Sequence, residues 1–350
     1  GSVWNLTAED IRETGARDVV EAMTFHPGID IVTGGQGVPR MNIRGFKTRQ
    51  VLFLIDGIPV NSPYDDQFDA SLIPVEHVER IETTLGPSSV LHGPGGTGGV
   101  INIITKKGFK TLTGMVGAEY GEGNYHLEKT SLSGGRKQTD FFISASHFDQ
   151  DAYPLSKNFE PTVVEDGNER ENSFKLRDYL FGNIGYSPNE EFDAALTFSY
   201  VEGKYGIPGG VIYDASDDFA PNPKYVRIEH LDGYSFQISA GYRPPGFFSV
   251  RSWAFINQSE EDDHRYDSDN FYSTDTHLND SWQYQLKKTT VSTGAAVQPG
   301  FDFEQLGRFT LGLSTEKDEW NSAGRDKDGY IPLTFPPQWN IVQVDETKTV

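Results

Sequence analysis

The chain has 350 residues, of which 36% are apolar and 13% are aromatic, and it carries a formal net charge of −21. This charge argues against a nucleic-acid partner, because phosphate binding depends on clustered lysine and arginine. The sequence has no cysteine, which excludes a disulfide framework and a thiolate metal site, and its low apolar fraction favours many half-buried strands over one thick core.

The first hundred residues predict a small mixed unit of helices and short strands. Thr7 and Asp10 have the spacing of a capping box, and a second helix is expected over 17–24, before the breaking sequence His26-Pro27-Gly28. Asp56-Gly57 is a strong signal for a hairpin turn. The predicted strands are 29–32, 41–44, 51–55, 78–84 and 100–105.

A glycine-rich run, LHGPGGTGGVINIITKKG, occupies residues 91–108 and has the spacing G-x-G-x-x-G at Gly93, Gly95 and Gly98. In a dinucleotide-binding enzyme such glycines open a helix, whose N-terminus holds the phosphates. Here the next segment, Val100–Thr105, is dominated by β-branched residues, which favour a strand. We therefore predict that the glycines serve a tight turn and close packing, whereas a nucleotide-dependent enzyme would require a helix after Gly98.

From about residue 111 the pattern changes to long alternating strands. In one of them Phe192, Leu196 and Phe198 share a face that we expect to meet lipid. The residues expected to face the lumen are Asp193, Thr197 and Ser199. The predicted strands are 111–121, 124–134, 139–149, 173–186, 191–203, 226–243, 246–258, 277–297, 306–316 and one beginning near Val344. Short connections alternate with long ones at about 150–172, 204–225, 259–276 and 317–343. This alternation is typical of an outer-membrane barrel, with a soluble up-and-down β protein as the alternative.

The segments PGIDIV, MNIRGF, VLFLIDGIPV and VERIETTLGPSSVLHGPGGTGGVINIITKKG, in this order, resemble the plug domain of TonB-dependent outer-membrane receptors. The resemblance implies a plug inside a barrel of about 22 strands. The expected architecture is a small mixed α/β plug domain over 1–108, followed over 109–350 by about nine or ten antiparallel transmembrane strands of such a β-barrel. Because an open barrel edge leaves backbone groups unpaired in lipid, we expect the chain to be an N-terminal piece of a longer protein.

The resemblance also assigns structural roles within the plug. The residues concerned are Arg44, Gly45, Asp56, Gly57, Glu79, Arg80, Gly86, Pro87, Gly93, Gly98 and Gly99. Plug arginines of this family commonly pair with barrel acids, and Arg44, on its predicted short strand, keeps one such position. Leu85 stands where the family often has a second arginine, so that pairing is not expected here.

The function that the resemblance implies is energy-coupled import of a scarce, large ligand such as a ferric siderophore, cobalamin or haem. The implied partners are this ligand, a TonB-type energy-transducing periplasmic protein, and outer-membrane lipid with lipopolysaccharide. Ligand contacts are expected in the plug loops 33–39 and 61–71, at Gln36, Tyr64, Asp65, Asp66, Gln67 and Phe68. A passive pore or surface adhesin, in which the plug would be dispensable, is the alternative. The sequence contains no catalytic constellation, so it predicts neither an enzyme nor a cofactor.

Two acidic clusters fall in predicted long loops. One comprises Glu165, Asp166, Glu169 and Glu171, and the other lies within 260–269. Dense carboxylates can bind calcium, and a calcium site is considered at Asp262, Asp263, Asp267 and Asp269. The alternatives are a solvated acidic surface and divalent ions that bridge to lipopolysaccharide phosphates. His77, between Glu76 and Glu79, lacks the spacing of a metalloprotease motif and is expected on the plug surface.

Overall fold

The computed structural model describes residues 3–33, 38–86, 96–214, 216–217, 223–266, 268–272, 285–304, 307–325 and 343–349. A small α/β unit packs against one face of a long antiparallel sheet, and we call these two parts the plug and the wall. Within the described residues, no helix has both the length and the apolar character needed to cross a membrane.

Two short helices occur near the start of the plug. Helix α1 is Ala8–Thr14, and it begins with the predicted capping box, in which the Thr7 hydroxyl accepts from the Asp10 backbone N–H at 3.2 Å. The Asp10 carboxylate in turn accepts from the Thr7 backbone N–H at 2.8 Å. Helix α2 is Val19–Met23 and is capped by Asp18, so both predicted helices are confirmed.

The plug strands form one mixed sheet and one separate hairpin. They are β1 (Val3–Thr7), β2 (Ile29–Thr33), β3 (Pro39–Ile43), β4 (Val51–Ile55), β5 (Ile58–Pro59), β6 (Val78–Leu85) and β7 (Gly99–Thr105). The sheet order is β1-β6-β7-β4-β5, with β4 and β7 parallel, while β2 pairs with β3. Strand β1 has no counterpart among the predicted strands.

The end of the glycine-rich run is a turn that leads directly into β7. The Gly98 N–H donates to the Gln50 carbonyl at 2.8 Å, and the Gly86 N–H donates to the Gly98 carbonyl at 3.3 Å. A strand and not a helix follows Gly98, so the nucleotide-binding interpretation is wrong and the turn interpretation is confirmed. Pro87 and Gly93 lie outside the described residues.

Two further turns of the plug depend on positive φ angles. Asp56 (φ 53°) and Gly57 (φ 85°) form the predicted hairpin turn between β4 and β5. The Asp56 carboxylate also accepts from the Thr105 N–H at 3.0 Å and from its hydroxyl at 2.6 Å, which ties the turn to β7. Arg44 (φ 47°) follows β3 in a turn with Gly45, so its predicted place on the strand is wrong.

The wall is an antiparallel meander in chain order. Its strands are β8 (Thr113–Gly121), β9 (Tyr125–Arg136), β10 (Thr139–Gln150), β11 (Lys175–Tyr186), β12 (Phe192–Ile207), β13 (Tyr225–Tyr242), β14 (Phe248–Tyr266), β15 (Gln285–Asp302), β16 (Arg308–Thr310), β17 (Leu313–Arg325) and β18 (Gln343–Thr349). Strand β16 pairs only with β15, beside β17. The connections 137–138, 187–191 and 243–247 are short, whereas 151–174 and 208–224, at the opposite end, are long. The alternation predicted from the sequence is thus confirmed.

Three wall strands extend several residues into segments predicted as loops. Residues 204–207 continue β12, residues 259–266 continue β14, and residues 317–325 continue β17. Two of the acidic residues of β14 lie opposite lysines of β15, with Glu261 paired to Lys288 and Asp262 to Lys287. Opposite charges on neighbouring strands stabilise such pairs, which explains why an acidic run can form a strand here.

The two faces of the wall differ as predicted for β12. Thr197 is buried, and its hydroxyl accepts from the Asn183 amide at 2.8 Å on the plug side. Leu196 lies on the opposite face between Ile184 and Ile238, which are 55% and 54% exposed. This outer apolar face is typical of the lipid-facing side of a membrane barrel.

The plug packs on the inner face through a buried histidine. His77 is 2% exposed, and its ring stacks on Tyr179 (centroids 5.0 Å apart) and on Phe181 (4.6 Å apart), both from β11. Its predicted position on the plug surface is therefore wrong, because the wall covers that surface. Burial lowers the pKa of His77 to about 3, and the positive charges of Lys106 and Arg177 act in the same direction.

We expect acid to weaken this contact between plug and wall. The unfolded chain binds a proton at His77 near its ordinary pKa of 6.5, whereas the folded plug resists protonation until about 3. Stability is therefore lost as the pH falls from about 6.5 toward about 3. The measurement is the urea midpoint of plug unfolding at pH 7.5 and 5. The fall should be smaller in His77→Phe, which keeps a ring in the stack, and an equal fall in both proteins would contradict the assignment.

Candidate ligand-binding site

The plug loop, residues 61–69, connects β5 to the next turn of the plug and is held by its own side chains. The Asn61 amide oxygen accepts from the Phe53 N–H at 2.8 Å, and its amide nitrogen donates to the carbonyls of Val51 and Asp66 at 3.1 and 3.0 Å. One side chain therefore joins the loop to β4. The loop is in this way fixed to the plug sheet.

Further contacts close the plug loop on itself. The Ser62 N–H donates to the Gln67 carbonyl at 2.7 Å, and the Gln67 amide donates to the Asp65 carboxylate at 2.8 Å. Phe68 packs on Phe53 with ring centroids 5.6 Å apart. A loop braced at so many points presents a preformed surface, which reduces the conformational entropy lost when a ligand binds.

A cavity of 550 Å³ lies between the plug loop and the inner face of the wall. The apolar part of its lining consists of Leu72, Ile73, Tyr179, Val201, Ile207, Val226 and Leu231. The polar and charged part consists of Tyr64, Asp65, Gln67, Asp69, Gln258, Glu261, Asp263, Arg265 and Lys288. This volume and this mixture of surfaces are in the range of small-molecule sites, about 300–1,000 Å³.

The charged part of the cavity lining is organised around Lys288 of β15. Its ammonium group forms an ion pair with Glu261 and lies 3.2 Å from the Asp263 carboxylate. It also lies 5.5 Å from the centre of the Tyr64 ring, which packs edge-on against Trp320 at 5.2 Å. Lys288 and Trp320 thus link the plug loop to two wall strands.

The plug is anchored to the wall directly beside this cavity. The Ser71 carbonyl accepts from the buried Arg177 guanidinium at 2.5 Å, and the Ser71 hydroxyl accepts from Lys175 at 2.9 Å. On the side of the short turns, Arg251 donates to the Asp56 carbonyl at 3.0 Å. The plug loop ends two residues before Ser71, so a ligand that displaces the loop would also act on this contact between plug and wall.

The structure places four of the predicted ligand contacts at the cavity, namely Tyr64, Asp65, Gln67 and Phe68. Asp66 forms the turn of the plug loop, with φ 56°, and is not among the lining residues that the structure describes. Gln36 lies outside the described residues, although Val38 of the same loop reaches the cavity. A binding role for each of these residues stays a prediction.

Sequence reasoning missed the wall's contribution to the cavity. The sequence predicts a loop at Glu261 and Asp263 and no role for Lys288. Two features of the sequence indicate this contribution. Glu261 and Asp263 are two residues apart, which places both on one face of a strand, and the next predicted strand contains lysines.

The described residues of the predicted calcium site do not form one cluster. Asp262 and Asp263 are neighbours on β14 and point to opposite faces, so the predicted grouping is wrong. Asp262 lies 3.2 Å from His264, whereas Asp263 lies by Lys288. Asp269 follows β14, and Asp267 lies outside the described residues. In the other acidic cluster Glu165, Asp166 and Glu171 do meet in the connection 151–174, where Arg170 forms an ion pair with Glu165.

The remaining plug motif residues hold the plug sheet together. Arg80 of β6 forms an ion pair with Glu82 at 2.7 Å, and Glu82 accepts from Asn102 of β7 at 3.3 Å. Glu79 is exposed. Arg44 donates from its backbone to the Gly28 carbonyl at 3.0 Å, and its pairing with a barrel acid stays a prediction.

Comparison with known proteins gives matches to receptors and transporters. Residues 1–100 match the family described as TonB-dependent Receptor Plug Domain. The ferrienterobactin receptor of Escherichia coli (strain K12) is 34% identical over 179 residues, which are 47% of this chain and 23% of that protein. The vitamin B12 transporter BtuB of Vibrio vulnificus (strain CMCP6) is 28% identical over 202 residues, which are 56% of this chain and 31% of that protein.

The fold matches a solved outer-membrane receptor over almost the whole chain. The ferripyoverdine receptor of the outer membrane of Pseudomonas aeruginosa superposes with a TM-score of 0.76 at 14% identity. The match covers 99% of this chain and 48% of that receptor. The chain therefore spans about half the length of the solved receptor it resembles and less than a third of the two curated relatives.

Proposed function

We propose that this chain is part of a TonB-dependent receptor of the bacterial outer membrane and that the receptor has an import function. In the proposal, the complete receptor captures a scarce ligand on its outer side and carries it across the membrane when the plug is displaced. The observation that supports the proposal best is the 550 Å³ cavity, which the plug loop and the inner face of the wall form together.

The position of the cavity favours capture from one side of the membrane. The charged part of its lining lies near the ends of β14 and β15 that lead to the long connections, which face the cell exterior in outer-membrane barrels. A ligand bound there contacts both plug and wall, so its binding can alter the contacts between them. The proposed energy source is a TonB-type periplasmic protein that pulls on the plug.

The proposed ligand is a metal chelate or a similarly large cofactor. The names of the relatives point to ferrienterobactin and vitamin B12 as ligands of those proteins. A ferric siderophore, cobalamin or haem is thus the class we propose here. The apolar part of the cavity lining suits the body of such a molecule, and the hydrogen-bonding groups of Tyr64 and Gln67 suit its polar rim.

A passive pore or a surface adhesin is less well supported. The wall covers His77 of the plug and holds the plug through the buried Arg177, and removing one partner of a buried charged contact is strongly destabilising. An adhesin does not require such an interior.

Substitutions in the plug loop are expected to weaken ligand binding without unfolding the receptor. Tyr64→Ala removes an aromatic contact of the cavity, and Gln67→Ala removes a hydrogen-bonding group. Each should raise the dissociation constant about tenfold, equivalent to about 1.4 kcal/mol. Binding of candidate ferric siderophores, cobalamin and haem to the complete purified receptor measures the effect.

Phe25→Ala is the matched control for these substitutions. Phe25 is also an aromatic residue of the plug, is 67% exposed, and does not line the cavity. Deletion of residues 61–71 is a poorer test, because it removes Asn61, which braces β4, and Ser71, which anchors the plug. Equal affinity of the Tyr64 variant, the Gln67 variant and the control would argue against this cavity as the binding site.

A further inference from the structure

A cluster of two histidines and a glutamate lies on the outer face of the wall, away from the cavity. His126 and Glu128 are two residues apart on β9 and so share a face, and His147 of β10 is directly opposite Glu128 in the strand register. One ligand atom from each of the three side chains lies within 4.8 Å of the other two. The strand pairing thus brings together two imidazoles and a carboxylate that are distant in sequence.

The cluster belongs to the outer face because the same strands turn apolar residues inward. Leu127 and Phe148, the next residues after His126 and His147, are buried toward the plug. Leu132 and Ile143, which share the face of the cluster, are exposed. The side chains of His126 and His147 keep 28% and 41% exposure. They lie near the ends of β9 and β10 on the side of the long connection 151–174, so an ion can reach them from the water outside the membrane.

Each imidazole of the cluster has a carboxylate beside one of its ring nitrogens. His147 Nδ1 is 2.7 Å from Asp178 Oδ1 on β11, and His126 Nε2 is 3.9 Å from Asp149 Oδ2 on β10. The contact of His147 is a hydrogen bond, whereas that of His126 is too long for one, and both leave the other ring nitrogen for a further partner. A carboxylate that accepts from the remote N–H of a histidine is the usual outer contact of a zinc ligand, where it fixes the ring and makes it more basic.

We propose that His126, Glu128 and His147 bind a divalent transition metal of the zinc class, with Asp178 as a positioning residue for His147. Two imidazole nitrogens and one carboxylate oxygen are a ligand set that zinc accepts, with bonds of about 2.0–2.2 Å and an open fourth position. Rotation of the side chains is enough to close the ligand atoms onto one ion, because the strand register already holds the three Cα atoms in place. The neighbouring carboxylates of Asp149 and Asp178 offset the charge of the cation.

The test is metal binding by the complete receptor, purified in detergent and freed of metal with a chelator. Zn²⁺ is titrated in competition with a chromophoric chelator, and Co²⁺ serves as a spectroscopic probe of imidazole ligands. We expect one Zn²⁺ per chain at this site. His126→Ala and His147→Ala should each weaken binding at least tenfold, and Asp178→Asn should weaken it about 10–100-fold while the Co²⁺ absorption bands persist.

His264→Ala is the matched control, because His264 also pairs with an aspartate on a wall strand but contributes to none of the histidine–carboxylate clusters that the described residues form. This substitution should leave the affinity for Zn²⁺ unchanged. The heat-dependent gel mobility of the barrel shows whether each variant is folded. Failure of the unsubstituted receptor to bind either metal would overturn the proposal, as would unchanged affinity in the His126 and His147 variants. The assay measures metal binding and not ligand import, so the outcome of the assay does not depend on the proposed function.

Discussion

Replacing Gly98 or Gly99 by valine is expected to prevent the plug from folding inside the barrel. A Cβ at Gly98 would lie 2.5 Å from the Phe46 Cβ and 3.1 Å from the Gln50 carbonyl oxygen, and a Cβ at Gly99 would lie 2.6 Å from the Thr84 carbonyl oxygen. Backbone atoms cannot move aside without breaking the pairing of β7 with β4 and β6. Overpacking costs about 1–3 kcal/mol in a closely packed core and occasionally more. At Gly99, whose φ is 153°, backbone strain adds about 1–3 kcal/mol.

The measurement is protease digestion of the plug in outer-membrane preparations, together with passive entry of a large antibiotic into cells. Both should increase in the Gly98→Val and Gly99→Val receptors. Gly182→Ala is the control, since nothing lies within 4 Å of the position of its added Cβ. Wild-type protease resistance in both valine variants would show that the turn is not tightly packed.

An arginine at Leu196 is expected to destabilise the barrel wall strongly. Leu196 lies in an outward-facing row with Ile184 and Ile238 on the two neighbouring strands. A charged side chain on the lipid face costs about 2–4 kcal/mol near the bilayer midplane. The free energy of unfolding of the complete receptor in lipid vesicles measures this cost.

Two control substitutions distinguish the effect of the charge from that of losing the leucine side chain, and the outer face from the inner face. Leu196→Ala removes the side chain without adding charge, and Ser199→Arg places the charge on the inner face, where Ser199 lines the cavity. Thr197, although also inward, is a poorer control because it is buried and bonded to Asn183. A loss for Leu196→Arg no larger than for Ser199→Arg would contradict the assignment of the lipid face.

Local chemistry made much of the fold predictable. The capping box at Thr7, the Asp56-Gly57 turn and the β-branched run after Gly99 each depend on residues within a few positions of one another, and each is present as predicted. Two-residue alternation likewise revealed the wall strands and the faces of β12, because the period of a strand does not depend on distant contacts.

The errors arose where distant parts of the chain decide the outcome. The acidic end of β14 is predicted as a loop because its partners, Lys287 and Lys288, lie on another strand. His77 is predicted to be exposed because Tyr179 and Phe181, which cover it, lie about a hundred residues away in the sequence. The cavity itself is formed by residues more than 200 positions apart, such as Tyr64 and Lys288. No local pattern specifies such a pairing, so the sequence predicted the plug loop of the site but not its wall.

The central claim is that ligand import needs an energised cell, because the plug otherwise blocks the barrel. It is tested most directly by uptake of radiolabelled ferric siderophores, cobalamin and haem into cells that carry the complete receptor, with and without an uncoupler of the inner-membrane proton gradient. We predict saturable uptake of one of these ligands that stops when the gradient is collapsed, while binding to the cell surface persists. Saturable uptake that continues unchanged in uncoupled cells would contradict the claim and favour a passive pore.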